Sequence, residues 1–203
     1  MGRRARGPGA QHEQRCREIA DAVLEIVAER GLPAVSLSEV AARAGVSAGR
    51  VQHYFPSKKE LIEAAFDRGN DLSSARINAK IGQDPQAASP RAVLAVVLTE
   101  LIPYDPTTRV HMRVRQSFTA RALADEAIAA RLRQDYARLH QTLALLIRRD
   151  QDAGRIPATA DPDDTAAGLV ALAEGLAYYV LIDVSSADTA RDLVLSALAE
   201  VYG

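Results

Sequence analysis

The chain has 203 residues, of which 48% are hydrophobic and 25% charged, with a net charge of -1. That is enough apolar chain for a sizeable core and an ordinary balance for a soluble globular protein. The single cysteine, Cys16, excludes an internal disulfide and leaves no cysteine pair for zinc, and no apolar run approaches the ~18 residues of a membrane span. A cytoplasmic protein with no membrane partner is expected.

The small net charge hides an uneven distribution. Residues 1–60 carry ten Lys or Arg against seven Asp or Glu, so the amino-terminal third is basic and the remainder acidic. Residues 1–10 are Gly-rich and basic with nothing to bury, and a disordered arm is expected there. Its Arg3, Arg4 and Arg6 are either solvated or reach phosphates and the minor groove of a duplex. A first helix over Gln11 to Arg30 follows from the stripe Ile19, Val23, Ile26 and Val27, with Gly31 at the carboxyl cap. Cys16 lies on the same broad side and reads as an inert, packed thiol.

Ser36 with Glu39 makes an S-x-x-E capping box, which starts a second helix at about Leu37. Gly45 ends it, and Ser47 caps a third helix in which Val51 and Phe55 turn inward together with Val46. Ala48, Gly49, Arg50, Gln52, His53 and Tyr54 are left for the outward surface. Arg pairs bidentately with guanine and Gln with adenine from a helix in the major groove, so double-stranded DNA is the partner this surface suits. Gly49 lets backbone approach closely. Ser57 and Glu60 then open another helix with Lys58 and Lys59 in its first turn, which points to phosphate nearby.

The run A-x-x-A-G-V-S-x-G-x-x-x-H-Y-F-x-S-K-x-E-L, here Ala41 to Leu61, resembles the TetR family of bacterial transcriptional regulators. The resemblance implies an all-α protein: a three-helix DNA-binding domain over residues 11–56, then a larger helical ligand-binding and dimerisation domain over residues 57–203. By position it implies base contacts from Ala48, Gly49, Arg50, Gln52 and His53. Tyr54 and Lys58 would contact the phosphate backbone, with the capping serines Ser36 and Ser47 beside them. Many members carry a small polar residue, an apolar one and Tyr before H-Y-F, where this chain has Arg50-Val51-Gln52. A homodimer and an unidentified small-molecule ligand are implied as well.

Further along, a helix from Lys58 to about Ser74 is expected, then a short helix and a loop over Ile77 to Ser89. Ser89-Pro90, Asp105-Pro106 and Asp161-Pro162 each place a capping residue before a proline and start helices to about Ile102, Leu123 and Asp183. A long helix from about Asp125 to Ala153 carries Ile128, Leu132, Tyr136, Leu139, Leu143 and Leu146. The last helix runs over Ala187 to Tyr202.

The helix from Pro106 is unusually polar. His111, Arg113 and Arg115 lie near its Val110, Val114 and Phe118 stripe, so these residues and Phe118 are pocket candidates, with Tyr136, His140, Glu174 and Tyr178 on neighbouring helices. A buried Arg113 or Arg115 would require an anionic ligand. Gly168, Leu172, Gly175, Leu176 and Tyr179, with Leu193 and Val201 on the last helix, are candidates for the dimer face that the resemblance implies. His12, His53, His111 and His140 never pair at metal-ligand spacing, and no catalytic motif is present, so no metal, cofactor or enzyme activity is expected. A ligand-released repressor reading a pseudo-palindrome, an activator of the same fold, and a sequence-indifferent architectural DNA binder all remain open.

Overall fold

The computed structural model describes residues 8–82 and 88–203. Among the described residues there are nine α-helices, one 3-10 turn and no strand. The helices are α1 (Pro8–Arg30), α2 (Leu37–Arg43), α3 (Ala48–Tyr54), α4 (Lys58–Ile81), α5 (Pro90–Glu100), α6 (Pro106–Arg121), α7 (Glu126–Asp152), α8 (Pro162–Leu181) and α9 (Ala187–Val201). The arm arginines Arg3, Arg4 and Arg6 lie outside the described residues, and α1 begins at Pro8, inside the span expected to be arm.

Local chemistry places most helix starts. Ser36, Ser47, Ser57, Ser89, Asp105 and Asp161 each accept a backbone amide hydrogen bond from the first turn that follows, satisfying donors the helix itself cannot. The Ser36 box is only half formed: its hydroxyl takes the Glu39 amide at 3.2 Å, but the Glu39 carboxylate turns to Arg30 instead. Gly45, at φ 65°, makes the turn between α2 and α3 in a conformation that side chains avoid.

The break expected near Ser74 does not occur. α4 continues through Ile77 to Ile81 and stops at Gly82, φ 94°. It needs no single apolar stripe because it is sandwiched: Leu61, Ile62, Ala65 and Phe66 enter one core, while its carboxyl half meets α5 through charged groups. α8 likewise stops short of Asp183, which takes φ 59° after the helix end. Arg109 caps that end, donating to the Val180 carbonyl at 3.0 Å and to Asp183 at 3.3 Å.

Two apolar cores result. One joins α1, α2 and α3 to Phe66 of α4, Phe118 of α6 and Ile128 and Leu132 of α7, with the Phe66 and Phe118 rings stacked at 4.4 Å. The other joins α5, the carboxyl half of α7, α8 and α9. Its far end is tied by Asp150, a fully buried carboxylate that accepts from the Tyr202 hydroxyl at 2.5 Å and from Arg155 Nε at 2.8 Å. Burial and that acidic partner push the Tyr202 phenol well above its usual range.

Candidate nucleic-acid interface and ligand cavity

In the head, Val51 is fully buried while Ser47, Ala48, Gly49, Arg50, Gln52 and His53 are exposed, forming one outward surface on α3. The space beyond Gly49 is open. Tyr54 is half-buried, its ring 4.9 Å from His12 of α1, and Ser36 is half-buried at the start of α2. Lys58 is exposed, with Nζ 3.4 Å from the Pro33 carbonyl.

The other head cations are neutralised by their own subunit. Arg43 bridges Glu25 and Glu29, Arg30 pairs with Glu39, and Arg15 and Arg17 pair along α1. Hydrogen bonding to Arg43 holds the Glu29 carboxyl below its usual range. Lys59, expected beside a phosphate, instead bonds Asp125, the residue that caps the start of α7, at 2.5 Å. Among the described residues of α1 to α3 and the first turn of α4, Arg50 and Lys58 are the cations outside ion pairs.

In the body, a cavity of about 330 Å³ opens between α4, α5, α6 and α7. That is at the small end for organic-ligand sites. Phe66, Ile77, Val97, Leu101, Leu132 and Leu139 give it apolar walls, and Arg115 and Tyr136 bring polar groups to it. Arg115 bonds Glu174 of α8 at 2.5 Å and the Tyr136 hydroxyl at 3.5 Å, both through Nη2, and its Nε is enclosed without an acceptor among the described residues. Burial and the nearby Glu174 charge push the Tyr136 phenol upward.

A smaller adjoining hollow is lined by His111, Gly69, Met112 and Arg76. Gly69 packs against His111: a Cβ there would sit 3.6 Å from the histidine's own Cβ. Arg76 donates toward His111 Nδ1 at 3.4 Å. Burial first, and the Arg76 charge second, lower the imidazole to about 4, so it is neutral at pH 7.

The remaining pocket candidates fall elsewhere. Phe118 is behind the wall, in the core against Phe66. Arg113 projects from the opposite face of α6 into a groove against α1. His140 lines a shallow surface depression, and Tyr178 is half exposed on the outer side of α8. The residue missing from the expected set is Glu100, a buried carboxylate that receives Arg76 Nε at 2.5 Å, Lys80 Nζ at 2.8 Å and the Tyr104 hydroxyl at 3.1 Å. Its signal in the sequence was a lone acid closing the otherwise apolar helix Ala92 to Leu98.

On α8, Gly168, Leu172, Gly175 and Tyr179 share an outward face with Ile182, and Leu193 of α9 is also exposed. No described residue comes within 4 Å of the position of a Cβ on either glycine. Leu176 departs from that group, being buried in the subunit's own core, and Val201 packs partly against the same core.

The carboxyl-terminal region, residues 90–203, matches the family model for the carboxyl-terminal domain of BetI-type transcriptional repressors. Residues 19–65 match the model for bacterial regulatory proteins of the tetR family. The chain belongs to the TetR family. It is 28% identical to the transcriptional regulator PksA of Bacillus subtilis, over 85% of this chain and 81% of that protein. To the transcriptional regulator BetI of Burkholderia cenocepacia it is 31% identical over 81% of this chain and 80% of the relative. A transcriptional regulator from Saccharomonospora viridis, solved in complex with choline, superposes with a TM-score of 0.78 at 25% identity, covering 91% of this chain and 95% of that one. This TetR-family chain is accordingly a transcriptional regulator with a helix-turn-helix head, and not an enzyme. No helix of the described residues is long and apolar enough to cross a membrane.

Proposed function

We propose that this regulator is a homodimeric cytoplasmic repressor that reads a pseudo-palindromic operator through α3 and leaves it when a small molecule occupies the body cavity. The observation that carries the DNA side is the contrast between paired and free cations: Arg50 and Lys58 project from the head while their neighbours are internally neutralised. Arg50, Gln52 and His53 act on base edges, and Ala48 and Gly49 keep the backbone close to the duplex. Tyr54 and Lys58 hold phosphates, as do the first turns capped by Ser36 and Ser47. Arg3, Arg4 and Arg6 add contacts from the arm. On this reading the reading head spans residues 11–56 and the sensing and pairing body residues 57–203.

The pairing face is the outer side of α8 and α9. A glycine inside a helix costs about 1 kcal/mol relative to alanine, and no described residue packs close against Gly168 or Gly175, so close approach of a second copy is the use that fits them. A two-fold dimer places the two α3 helices on half-sites about one turn of the duplex, roughly 34 Å, apart or a multiple of that. The cavity is the sensing site, and the choline complex of the Saccharomonospora neighbour supports a small-molecule site in a body of this fold.

The test is selection of bound fragments from a genomic DNA pool at near-physiological salt. A shared pseudo-palindromic sequence is expected. Recovery of fragments without a shared sequence would overturn the operator reading in favour of sequence-indifferent binding.

A further inference from the structure

Resting on the reading of the body cavity as the sensing site, we infer that its ligand is a small organic carboxylate, an apolar body ending in an anionic group held by Arg115. The guanidinium is where the cavity is chemically unfinished. All of its hydrogen bonds to the described residues leave from Nη2, and Nε has no acceptor among them; Nε is itself enclosed, so a ligand in the cavity engages it only when the guanidinium shifts toward the cavity. A buried donor of a charged group left without an acceptor is unfavourable, and a planar carboxylate is the partner whose two oxygens match two guanidinium nitrogens at once.

The surrounding charges favour an anion. Every carboxylate in or beside the wall already has a cation: Glu100 has two, Arg76 and Lys80, Glu174 has Arg115, and Asp135 has Arg138. Glu100 is thus paired with two cations next to the cavity, and the Asp105 carboxylate lies within the field of one of them, Arg76. The aromatic rings are taken in the same way. Arg131 lies 5.5 Å from the Phe66 centroid, and Arg115 lies 5.6 Å from that of Tyr136. The chain has no tryptophan, so a quaternary ammonium would find neither a free carboxylate nor an open aromatic cage here. A carboxylate ligand would be of a different class from the choline with which the Saccharomonospora neighbour was solved. Ile77, Val97, Leu101, Leu132 and Leu139 supply the surface for the apolar body.

The experiment is calorimetric titration of the full chain, in a carboxylate-free buffer at pH 7.5, with acetate, hexanoate, octanoate and benzoate, set against hexanamide, hexylamine and choline. At least one carboxylate should bind tenfold or more tighter than the amide, the amine and choline. Arg115→Gln should remove that preference. Because Arg115→Gln strands Glu174, the double variant Arg115→Gln/Glu174→Gln, which removes both charges, is measured beside it, and Arg113→Gln on the opposite face should keep the preference. Choline or hexylamine binding as tightly as the best carboxylate, carboxylate preference surviving the double variant, or no carboxylate binding at all would each overturn the inference. Failure of the regulator reading is separate: carboxylate binding by a chain that retains no DNA fragment leaves the ligand class standing, whereas a selected operator released by choline and not by carboxylates removes only the ligand class.

Discussion

Replacing Glu100 by glutamine tests whether the clamp between α4 and α5 is a true buried network. The carboxylate is fully enclosed and receives Arg76 at 2.5 Å, Lys80 at 2.8 Å, Tyr104 at 3.1 Å and Ser73 at 3.4 Å. Glutamine keeps the shape but removes the charge, and its amide nitrogen must face at least one donor. Removing one partner of a buried pair costs about 3–5 kcal/mol when the other charge is stranded. Arg76 and Lys80 retain 26% and 41% side-chain exposure and regain part of their hydration, so the lower range of about 2–3 kcal/mol is expected. In a chain of this size that corresponds to a fall of about 5–10 °C in Tm. The assay is urea unfolding followed by circular dichroism at a fixed protomer concentration, since association contributes to stability. The triple variant Glu100→Leu/Arg76→Met/Lys80→Met removes all three charges and should recover most of the loss. A Glu100→Gln protein within about 1 kcal/mol of wild type, or a triple variant no better than the single one, would refute this account of the clamp.

His111 gives a pH prediction. Its folded value of about 4 lies below the ordinary 6.5, so unfolded chains take up a proton that folded ones refuse, and stability is lost as pH falls from about 6.5 to about 4. The groups facing the ring are Arg68 and Arg76 of α4, Glu100 of α5 and Asp105 before α6. The ring is partly exposed, so the full linkage value of about 3 kcal/mol is discounted to about 1–2 kcal/mol. The measurable quantity is the pH-dependent difference between wild type and His111→Asn, in which the titration of carboxylates common to both cancels; a flat difference would contradict the shift. Arg50→Ala should relax preference at one base position by about 1–3 kcal/mol, while Lys58→Ala should weaken all sequences alike and flatten the salt slope by about one, both read from binding titrations on variant operators. Leu172→Glu with Tyr179→Glu should yield a folded monomer by light scattering, and a persistent dimer would place the pairing face elsewhere.

Much of the fold was legible because its punctuation is local. A serine or aspartate three residues ahead of the amide it caps, with proline at the next position, needs no tertiary partner to act, and the starts at Ser89, Asp105 and Asp161 follow from the sequence within a residue. Periodicity presumes one buried face and so misplaces the far end of α4, a helix covered by α1 on one side and by α5 and α6 on others. The cavity was legible only in part. Arg113 and Arg115 are about 200° apart around α6, so one of them had to face away, and helical periodicity alone cannot say which. His111 and Arg115 are a turn apart and do fall on one side, whereas Phe118 was drawn behind the wall by Phe66, a partner 52 positions away. Glu100 escapes the sequence for a related reason. At the end of a helix an acid is expected in water, and only α4 packing across it, with Arg76 and Lys80 in register, makes it the centre of a buried cluster.

The two kinds of contact made by α4 bear on how a ligand could be felt at the head. Its amino half is joined to α1 and α6 by close-packed side chains, Leu61 and Ala65 without exposure and Phe66 stacked on Phe118. Dense packing of that sort does not slide by small increments, so this half of α4 and the head move together if either moves. Its attachments to α5 and α7 combine the apolar packing of Phe66 with Ile128 and Leu132 and a set of ion pairs: Lys59 to Asp125, Asp67 to Arg131, and Arg76 and Lys80 to Glu100. Exposed pairs of the first kind are worth about 0–1 kcal/mol each and exchange readily for water. An anion beside Arg115 alters the field on the Glu100 cluster directly, since Glu100 and Arg115 line the same cavity. Shifting the head requires a coupling of only about 1–3 kcal/mol, within reach of rearranging that cluster and one or two exposed pairs. The apolar contacts thus transmit and the charged contacts yield, which makes the carboxyl half of α4, and not its junction with the head, the place where substitutions should change ligand response while leaving DNA affinity intact.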